Sequence, residues 1–458
     1  MAIESINPAT GETIETYDEM SGEEVAAVVE ACHEAQRGWR QTGLAHRAEK
    51  MRRAAELLRE RKEELARLMA REMGKPVTGG RSEVDKCAWV CEHYAEHAET
   101  MLADREVATE ARRSFVAHQP LGVVLAVMPW NFPFWQVFRF AAPGLAAGNG
   151  AVLKHASNVF GCALAIEGIF RDAGFPEGLF RALLIGSRAV DAVIEHPRVA
   201  AVTLTGSTAA GAAVAAKAGS RIKKTVLELG GSDPYLVLDD ADLEAAAETC
   251  VNSRLINSGQ SCIAAKRFLV VEAVYADFER LFVEKMAAKR MGDPFDEASH
   301  LGPQARRDLR DDVHQQVRRS VDAGARLALG GEVPDGPGAY YPPTVLTGVR
   351  PGMAAFDEEV FGPAAALVRV AGEDEAVELA NRSEYGLGAA VFTRDRGRGE
   401  AVARRLEAGC CFVNAEVKSD PRLPFGGIKS SGYGRELGEV GIREFVNVKT
   451  VWVAAGSS

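Results

Sequence analysis

The chain has 458 residues, of which 47% are hydrophobic and 26% are charged, and its formal net charge at pH 7 is -10. This length allows about two to four domains and a core that needs neither metal ions nor disulfide bonds. The negative charge argues against nucleic acid or an anionic membrane surface as a partner, because neither attracts an acidic protein. An anionic small-molecule substrate would therefore need a local cationic pocket.

The cysteine pattern and the apolar segments indicate the compartment. Eight cysteines lack the spacing of a secreted disulfide framework, which predicts a reducing, cytoplasmic environment. The first ten residues lack the basic and apolar segments of a signal peptide. The longest apolar stretch, 121–148, contains several prolines and an arginine, so it does not predict a membrane span.

Two long helices are predicted in the N-terminal part. Residues 47–73 carry apolar side chains at helical spacing and end before Gly74 and Pro76, and a second helix covers 82–102. The second helix has two cysteines and two histidines at four-residue spacing, which suits zinc, but nothing completes a tetrahedral ligand set. We therefore predict helices and no metal site.

From residue 123 onward, short apolar runs alternate with helical segments. This alternation predicts right-handed crossovers and a parallel, doubly wound sheet, which binds ligands at the carboxyl ends of its strands. A second alternating region covers 235–423, and the valine-rich segment 449–454 predicts an exposed strand that is typical of an oligomer contact. The first region's predicted strands are 123–128, 151–155, 180–185, 199–205 and 225–229, with helices at 132–147, 159–173, 188–195 and 208–218.

One cysteine, Cys262, is a candidate nucleophile. It follows the turn-forming residues 257–261 and precedes an apolar strand at 268–271. A thiol on a bend is suited to attack because even an unperturbed thiol is slightly ionised at neutral pH. The alternative is a buried small hydrophobic residue, which is what most free cysteines are.

A second group of residues predicts a dinucleotide site. Gly206 and Ser207 follow a strand and open a helix, where backbone N–H groups can meet a phosphate, although glycine at such a turn also occurs for steric reasons alone. Lys154 ends a buried strand, where a charge is costly without an anion. Ser157 leaves room for a 2'-phosphate that a carboxylate would repel, so NADP is favoured over NAD. A surface lysine beside an ordinary helix cap is the alternative.

Asn131 and Glu228 have the chemistry of an oxyanion donor and a general base. With the backbone N–H of Cys262, the Asn131 amide can hold an oxyanion, a contribution on the order of 3 kcal/mol; otherwise it caps the following helix. Glu228 ends an apolar strand before two glycines, where desolvation should raise its pKa, as suits a base that acts through water. A structural carboxylate is the competing interpretation.

Arg139 is the candidate to bind the end of the substrate that lies away from Cys262. It lies among apolar residues, four positions after Trp135 and on the same helical face as Asn131. An arginine in this setting can pair with the carboxylate of a short substrate, and Ser419, in the loop before Pro421, is a further candidate contact. An internal ion pair of Arg139 with Asp or Glu stays open.

Five segments of the chain resemble motifs of the aldehyde dehydrogenase superfamily, in the family's order and approximate spacing. The resemblance extends over essentially the full length. It implies an α/β fold with a Rossmann-type cofactor domain, an α/β catalytic domain and a small β oligomerisation arm. The motifs are PWNFP at 129–133, ELGG at 228–231, GQSC at 259–262, EVFGP at 359–363 and PFGG at 424–427. The implied domains are 1–103 with 123–229 for the cofactor, 230–440 for catalysis, and 104–122 with 441–458 for the arm.

The matching positions imply roles for individual residues. Cys262 matches the nucleophile, Asn131 the oxyanion residue and Glu228 the general base. Within the superfamily, the chain is most similar to enzymes in which an arginine and a serine hold the carboxylate of succinic semialdehyde. The implied substrate contacts are Trp135, Arg139 and Ser419, and the implied cofactor contacts are Trp130, Lys154, Ser157, Gly206, Ser207, Glu359 and Phe361.

The sequence therefore predicts NAD(P)-dependent oxidation of succinic semialdehyde to succinate, through a Cys262 thiohemiacetal and thioester, in a homodimer or homotetramer. Some members of that group carry a redox-active second cysteine where this chain has Ala264, so we expect no such disulfide switch. A broader aliphatic or aromatic aldehyde dehydrogenase is one alternative. A cofactor-binding scaffold without turnover and a cysteine-dependent amidase are the others, although no histidine is placed by sequence beside Cys262.

Overall fold

The N-terminal part of the computed structural model, which describes residues 2–455, is a hairpin followed by helices. Met1 and residues 456–458, at the outer ends of the predicted domains, lie outside the described residues. Within residues 2–455 we find no helix with both the length and the apolar character needed to cross a membrane. The first elements are β1 (Ala2–Ile6), β2 (Thr13–Asp18), α1 (Gly22–Trp39), α2 (Leu44–Glu60), α3 (Lys62–Met73) and α4 (Val77–Leu102).

The prediction of one helix over 47–73 is wrong. The segment forms α2 and α3, which are separated at Arg61 by a non-helical backbone (φ -98°, ψ 11°). The predicted apolar face is nevertheless buried on both helices, with Met51, Leu58 and Leu65 in the same core as α4. Because each short helix can tilt separately, the break lets both pack against α4.

The next elements form the first parallel sheet and confirm the predicted doubly wound α/β arrangement. The strand order is β9-β8-β5-β6-β7, so the chain builds β5 to β7 on one side and then crosses to the other side of β5. Sheets of this kind bind ligands where the order reverses, which here is the crevice between the carboxyl ends of β5 and β8. The chain reaches this sheet through β3 (Arg105–Glu106) and β4 (Arg113–Pro120), which belong to a separate three-stranded sheet. The sheet and its helices are β5 (Val123–Met128), α5 (Trp135–Ala146), β6 (Gly150–His155), α6 (Phe160–Asp172), β7 (Phe180–Ala182), α7 (Val190–Glu195), β8 (Val199–Thr205), α8 (Thr208–Ser220) and β9 (Lys224–Glu228).

A second sheet has the order β12-β13-β14-β11-β10-β16-β17 and is parallel except for β12. Its central strands β10 and β11 are buried along their whole length, as helices on each side require. The sheet and its helices are β10 (Asp233–Val237), α9 (Leu243–Leu255), β11 (Ala265–Val271), α10 (Glu272–Ala287), α11 (Arg307–Asp322), β12 (Arg326–Leu329), β13 (Thr344–Thr347), α12 (Ala354–Asp357), β14 (Ala364–Val370), α13 (Glu373–Asn381), β16 (Gly388–Phe392), α14 (Arg396–Arg405) and β17 (Cys410–Val413). The short strand β15 (Tyr385–Gly386) lies between α13 and β16 in the chain but pairs outside this sheet.

The C-terminal elements return to the earlier parts of the chain. They are β18 (Ile428–Lys429), β19 (Gly432–Tyr433), α15 (Gly438–Ile442) and β20 (Val446–Val453). β19 pairs with β9 at the edge of the first sheet. β20 pairs antiparallel with one edge of β4, and β3 pairs with the other edge. The outer strand β20 exposes large apolar side chains, with Val448 62% and Trp452 51% exposed. The predicted terminal strand is therefore present, three residues longer at its start than expected.

Candidate active site

The backbone before Cys262 has an unusual shape. Asn257, Ser258 and Gly259 all have positive φ angles, of 53°, 57° and 80°. Side-chain-bearing residues seldom adopt this region, and such strain clusters at functional sites. A Cβ at position 259 would lie 2.3 Å from the Gly362 carbonyl oxygen, so only glycine fits there. The close contact holds the nucleophile turn against the loop at 359–363.

A buried lysine holds the carbonyl groups around the thiol. Lys266, only 1% exposed, donates to the carbonyl oxygens of Ser261 at 3.0 Å, Cys262 at 2.7 Å and Ala264 at 3.2 Å. The same ammonium lies 3.7 Å from a carboxylate oxygen of Glu359. Because one ammonium binds three carbonyls within four residues, the turn that carries Cys262 is fixed before any substrate arrives.

Cys262 lies where two cavities meet. The larger cavity, of about 530 Å³, and the smaller cavity, of about 260 Å³, are both lined by this residue. The predicted site residues divide between them. The larger cavity contains Trp135, Arg139 and Ser419, and the smaller contains Trp130, Asn131, Gly206, Ser207, Glu359 and Phe361.

The Cys262 thiol is partly exposed but protonated at neutral pH. Burial of the site raises the pKa of this thiol to about 12, although the nearby charges of Arg139 and Lys266 lower it. Since the thiolate is the nucleophilic form, attack from this state requires a group that accepts the proton.

Two hydrogen-bond donors converge beside the thiol. The Asn131 side chain donates one N–H to the Gln260 carbonyl oxygen at 3.1 Å, which leaves the second N–H of its amide. Asn257 donates to the Asn131 carbonyl oxygen at 2.7 Å and so fixes the backbone of this residue. The backbone N–H of Cys262 meets no acceptor within residues 2–455. The arrangement can hold an oxyanion.

Glu228 lies behind the cavities and lines neither of them. It is 2% exposed, and its two carboxylate oxygens have no hydrogen-bond partner in the described part of the chain. A Cβ at Gly426 would lie 2.6 Å from one of these oxygens. Burial raises the pKa of Glu228 well above its usual value, Arg139 opposes the shift and Glu436 adds to it. The protonated form of this carboxyl is therefore more favoured than in an exposed glutamate.

The smaller cavity has the features of a phosphate and ring site. Ser207 caps α8, since its side chain accepts from the Ala210 N–H at 3.3 Å, and Gly206 precedes it at the end of β8. The positive end of this helix therefore faces the crevice between β5 and β8. On the opposite side, the rings of Trp130 and Phe361 meet edge to face, with centroids 5.7 Å apart.

Three further predicted cofactor residues differ in their placement. Glu359 accepts the Gly231 N–H at 3.0 Å and lines the smaller cavity. Lys154 lies near the end of the neighbouring strand β6 and Ser157 just past it, both outside the residues that line either cavity. Burial lowers the pKa of Lys154, and within the described residues no carboxylate lies within 4.0 Å of its ammonium. An unpaired buried cation thus stands at the edge of the crevice.

Arg139 lines the larger cavity and also makes the internal ion pair that the sequence left open. Its guanidinium pairs with Glu436, and both side chains are almost completely buried. It also stacks over the Phe425 ring at 4.8 Å and donates to the Thr205 hydroxyl at 3.3 Å. Much of its charge is therefore engaged by the protein itself.

Sequence reasoning missed two charged residues on α4. Glu83 accepts the backbone N–H groups of Phe134 and Trp135, each at 2.9 Å, and so anchors the start of α5. Lys86 donates to the Ser419 hydroxyl at 2.8 Å and lines the larger cavity. Their three-residue spacing on a predicted helix was the available signal, because it places both on one face.

Comparison with known proteins gives a consistent result. The Aldehyde dehydrogenase family model matches residues 1–451. A probable succinate-semialdehyde dehydrogenase [NADP(+)] of Synechocystis sp. is 51% identical over 454 residues, which are 99% of this chain and 100% of that protein. The succinate semialdehyde dehydrogenase [NAD(P)+] Sad of Escherichia coli is 49% identical, over 98% of this chain and 97% of that protein.

A solved structure has the same fold over its whole length. Succinic semialdehyde dehydrogenase from Streptococcus pyogenes, in complex with NADP+, superposes with a TM-score of 0.97 at 38% identity. The match covers 99% of this chain and 100% of that one. The chain belongs to the aldehyde dehydrogenase family.

Proposed function

We propose that this protein oxidises succinic semialdehyde to succinate with NADP+, through a thiohemiacetal and then a thioester on Cys262. The observation that carries the proposal is that one thiol opens onto two cavities of different character. The smaller has a helix N-terminus and two aromatic rings, and the larger has several cations. The printed names of relatives about half identical to this chain agree with the substrate.

The residues of the smaller cavity fit a nicotinamide dinucleotide. The Ser207 N–H at the start of α8 suits a pyrophosphate, whereas the Gly206 N–H already donates to the Glu228 carbonyl oxygen at 3.0 Å. The Glu359 carboxylate suits ribose hydroxyls. Trp130 and Phe361 provide the apolar walls for a ring. When bound, the nicotinamide supplies the acceptor for the hydride that leaves the substrate carbon.

Cys262 and Asn131 perform the first step. The Cys262 thiol first loses its proton to solvent water. The thiolate sulfur then bonds to the aldehyde carbon as the carbonyl π bond breaks, and the carbonyl oxygen takes up the negative charge. The free N–H of the Asn131 amide and the backbone N–H of Cys262 bind that oxygen. Such donors act most strongly in a buried site, where they are already oriented.

Glu228 serves in the second step, in which water hydrolyses the thioester. Its carboxyl must lose its proton and turn from Gly426 towards Cys262 before it can accept a proton from that water. Because its two oxygens accept no hydrogen bonds within the described residues, this rotation breaks none and requires little free energy. The glycine at 426 leaves the space in which the carboxyl rests.

The preference for NADP+ rests on Lys154 and Ser157. The Lys154 ammonium has no carboxylate partner in the described part, and Ser157 begins a short 3-10 helix, Ser157–Val159, with a neutral side chain. An uncompensated cation beside a neutral residue favours a 2'-phosphate, whereas a carboxylate there would repel it.

The domain and assembly assignments are part of the same proposal. We assign 1–103 and 123–229 to the cofactor, 230–440 to catalysis and 104–122 with 441–458 to an oligomerisation arm. The exposed apolar side chains of β20 suit an edge-to-edge contact between copies, in a homodimer or homotetramer. The cytoplasmic location stays a prediction from the cysteine pattern.

Steady-state kinetics test the proposed function. We expect kcat/KM for succinic semialdehyde to exceed that for butanal, an uncharged aldehyde with the same number of carbons, and NADP+ to be used better than NAD+. Equal values for the two aldehydes would favour the broader aldehyde dehydrogenase. Absence of any NADPH or NADH formation with either aldehyde would leave the scaffold interpretation.

A further inference from the structure

The cations of the larger cavity differ in whether the protein neutralises them. Lys75 pairs with Glu83, Arg139 pairs with Glu436, and Lys289 lies 3.6 Å from a Glu248 oxygen. Lys418 is exposed at the cavity surface. Lys86 is half-buried, and within residues 2–455 no carboxylate lies within 4.0 Å of its ammonium. Among the cations of this cavity, Lys86 is therefore the enclosed one that no carboxylate of the described residues neutralises.

The contacts of Lys86 orient its ammonium without neutralising it. The nitrogen donates to the Ser419 hydroxyl at 2.8 Å and lies 4.4 Å from the centroid of the Trp135 ring. Both contacts are to neutral groups, and an ammonium has three N–H donors, so donors are left for a ligand. The contacts also limit the positions that the long lysine side chain can adopt.

Two acidic residues whose charges act on Lys86, Glu83 and Asp420, are bonded to groups other than Lys86. Glu83, one turn earlier on α4, is bonded to Lys75 and to the first backbone N–H groups of α5. Asp420 binds Arg422 through both oxygens, at 2.8 and 2.6 Å. Glu416 lines the same cavity but makes no ion pair in the described part of the chain. Burial and then the charge of Arg139 lower the pKa of Lys86, and the charges of Glu83 and Asp420 oppose the shift.

We propose that Lys86, held by Ser419 above the Trp135 ring, binds the substrate's carboxylate and thereby selects a carboxylate-bearing aldehyde over an uncharged one. The inference rests on the proposed function and names the specificity residue of the same site. Cys262 lines the cavity that Lys86 lines, so a short substrate can present its aldehyde to one and its carboxylate to the other. Burial, together with the Arg139 charge, lowers the pKa of Lys86 to about 8, and a bound carboxylate would favour the ammonium form.

The test compares two lysines of the same cavity. Lys86→Met should raise the KM for succinic semialdehyde by roughly 10- to 100-fold, the value of a lost hydrogen bond between charged groups. The kcat/KM for butanal should stay within about twofold. Lys289→Met removes the same charge from a lysine that the protein already neutralises, and it should change neither value by more than about threefold. Lys86→Arg should retain most of the preference for the charged aldehyde.

The outcomes separate the two proposals. If the wild-type enzyme does not prefer succinic semialdehyde to butanal, the proposed function fails and the role of Lys86 fails with it. If the wild type has the preference and Lys86→Met keeps it, only the role of Lys86 is wrong. An equal loss for both aldehydes would make Lys86 a structural residue. If Lys86→Met does not fold, Lys86→Gln, which keeps a hydrogen bond to Ser419, decides by the same comparison.

Discussion

The two cavities that meet at Cys262 are lined by different kinds of polar group. In the described structure, the smaller cavity has a single charged side chain, Glu359, and its other polar groups include backbone turns at strand ends. The larger cavity is lined by five Lys or Arg side chains and three Glu side chains. Under the proposed function, backbone dipoles would hold the cofactor and side-chain charge would discriminate between aldehydes. Changes in the larger cavity should therefore depend on substrate charge, whereas changes in the smaller cavity should not.

The largest expected effect is on stability, and it comes from breaking the ion pair of the larger cavity. Arg139→Met leaves the buried Glu436 carboxyl without its partner and should lower the free energy of unfolding by about 3–5 kcal/mol. Denaturant titration measures the change. The double variant Arg139→Met, Glu436→Leu removes both charges and should recover most of the loss. A stable single variant with a selective rise in KM for succinic semialdehyde would instead assign this guanidinium to the substrate.

The next effect concerns the smaller cavity. Asn131→Ala removes an oxyanion donor and should lower kcat by about 10²- to 10³-fold for succinic semialdehyde and butanal alike. The KM for NADP+ should change little. Asn252→Ala, which removes an amide from the lining of the larger cavity, is the control. A loss confined to the charged aldehyde would contradict the assignment of Asn131 to the reacting oxygen.

Glu228 should make the rate of the second step depend on pH. Because burial raises its pKa, the basic form increases as pH rises, and the rate of thioester hydrolysis should rise with it. Glu228→Gln should lower steady-state kcat by roughly 100-fold, remove this rise and leave a burst of NADPH in the first turnover. Stopped-flow absorbance measures the burst. A variant that loses the burst as well as the steady rate would show that the carboxyl acts before the thioester forms.

The smallest expected effect is on the preference between NADP+ and NAD+. Ser157→Glu places a carboxylate near the proposed 2'-phosphate and should shift the ratio of kcat/KM for NADP+ and NAD+ about tenfold towards NAD+. Ser187→Glu, at the first residue of the 3-10 helix Ser187–Ala189, is the matched control. An unchanged ratio would remove Ser157 from the account of cofactor preference.

The sequence predicts the smaller cavity well because its residues follow strand ends. β5 and β8 were predicted with the bounds that the structure has, and Asn131, Gly206 and Ser207 follow directly from them. The carboxyl ends of parallel strands meet at one edge, so local pattern alone brings these residues together. The motif at Glu359 belongs to the other sheet, and only the family resemblance connected it to the same site.

The larger cavity depends on packing that no local pattern encodes. Lys86 meets Ser419 across 333 positions of sequence, and helical periodicity does not specify which partner a polar face will have. The internal partner of Arg139 could not be chosen from among the chain's 64 acidic residues. The break at Arg61 was missed because the apolar spacing continues through it. The position of Glu228 behind the cavities likewise depends on the space left by Gly426.

The central claim is that the Cys262 sulfur, where the two cavities meet, forms a thioester with the acyl group of the substrate. Rapid acid quenching of the wild-type enzyme with succinic semialdehyde and NADP+, followed by peptide mass spectrometry, tests it most directly. We expect a succinyl group on the peptide that contains Cys262, formed within the first turnover and only when NADP+ is present. A succinyl group on another cysteine, or NADPH formation without any acylated cysteine, would contradict the account.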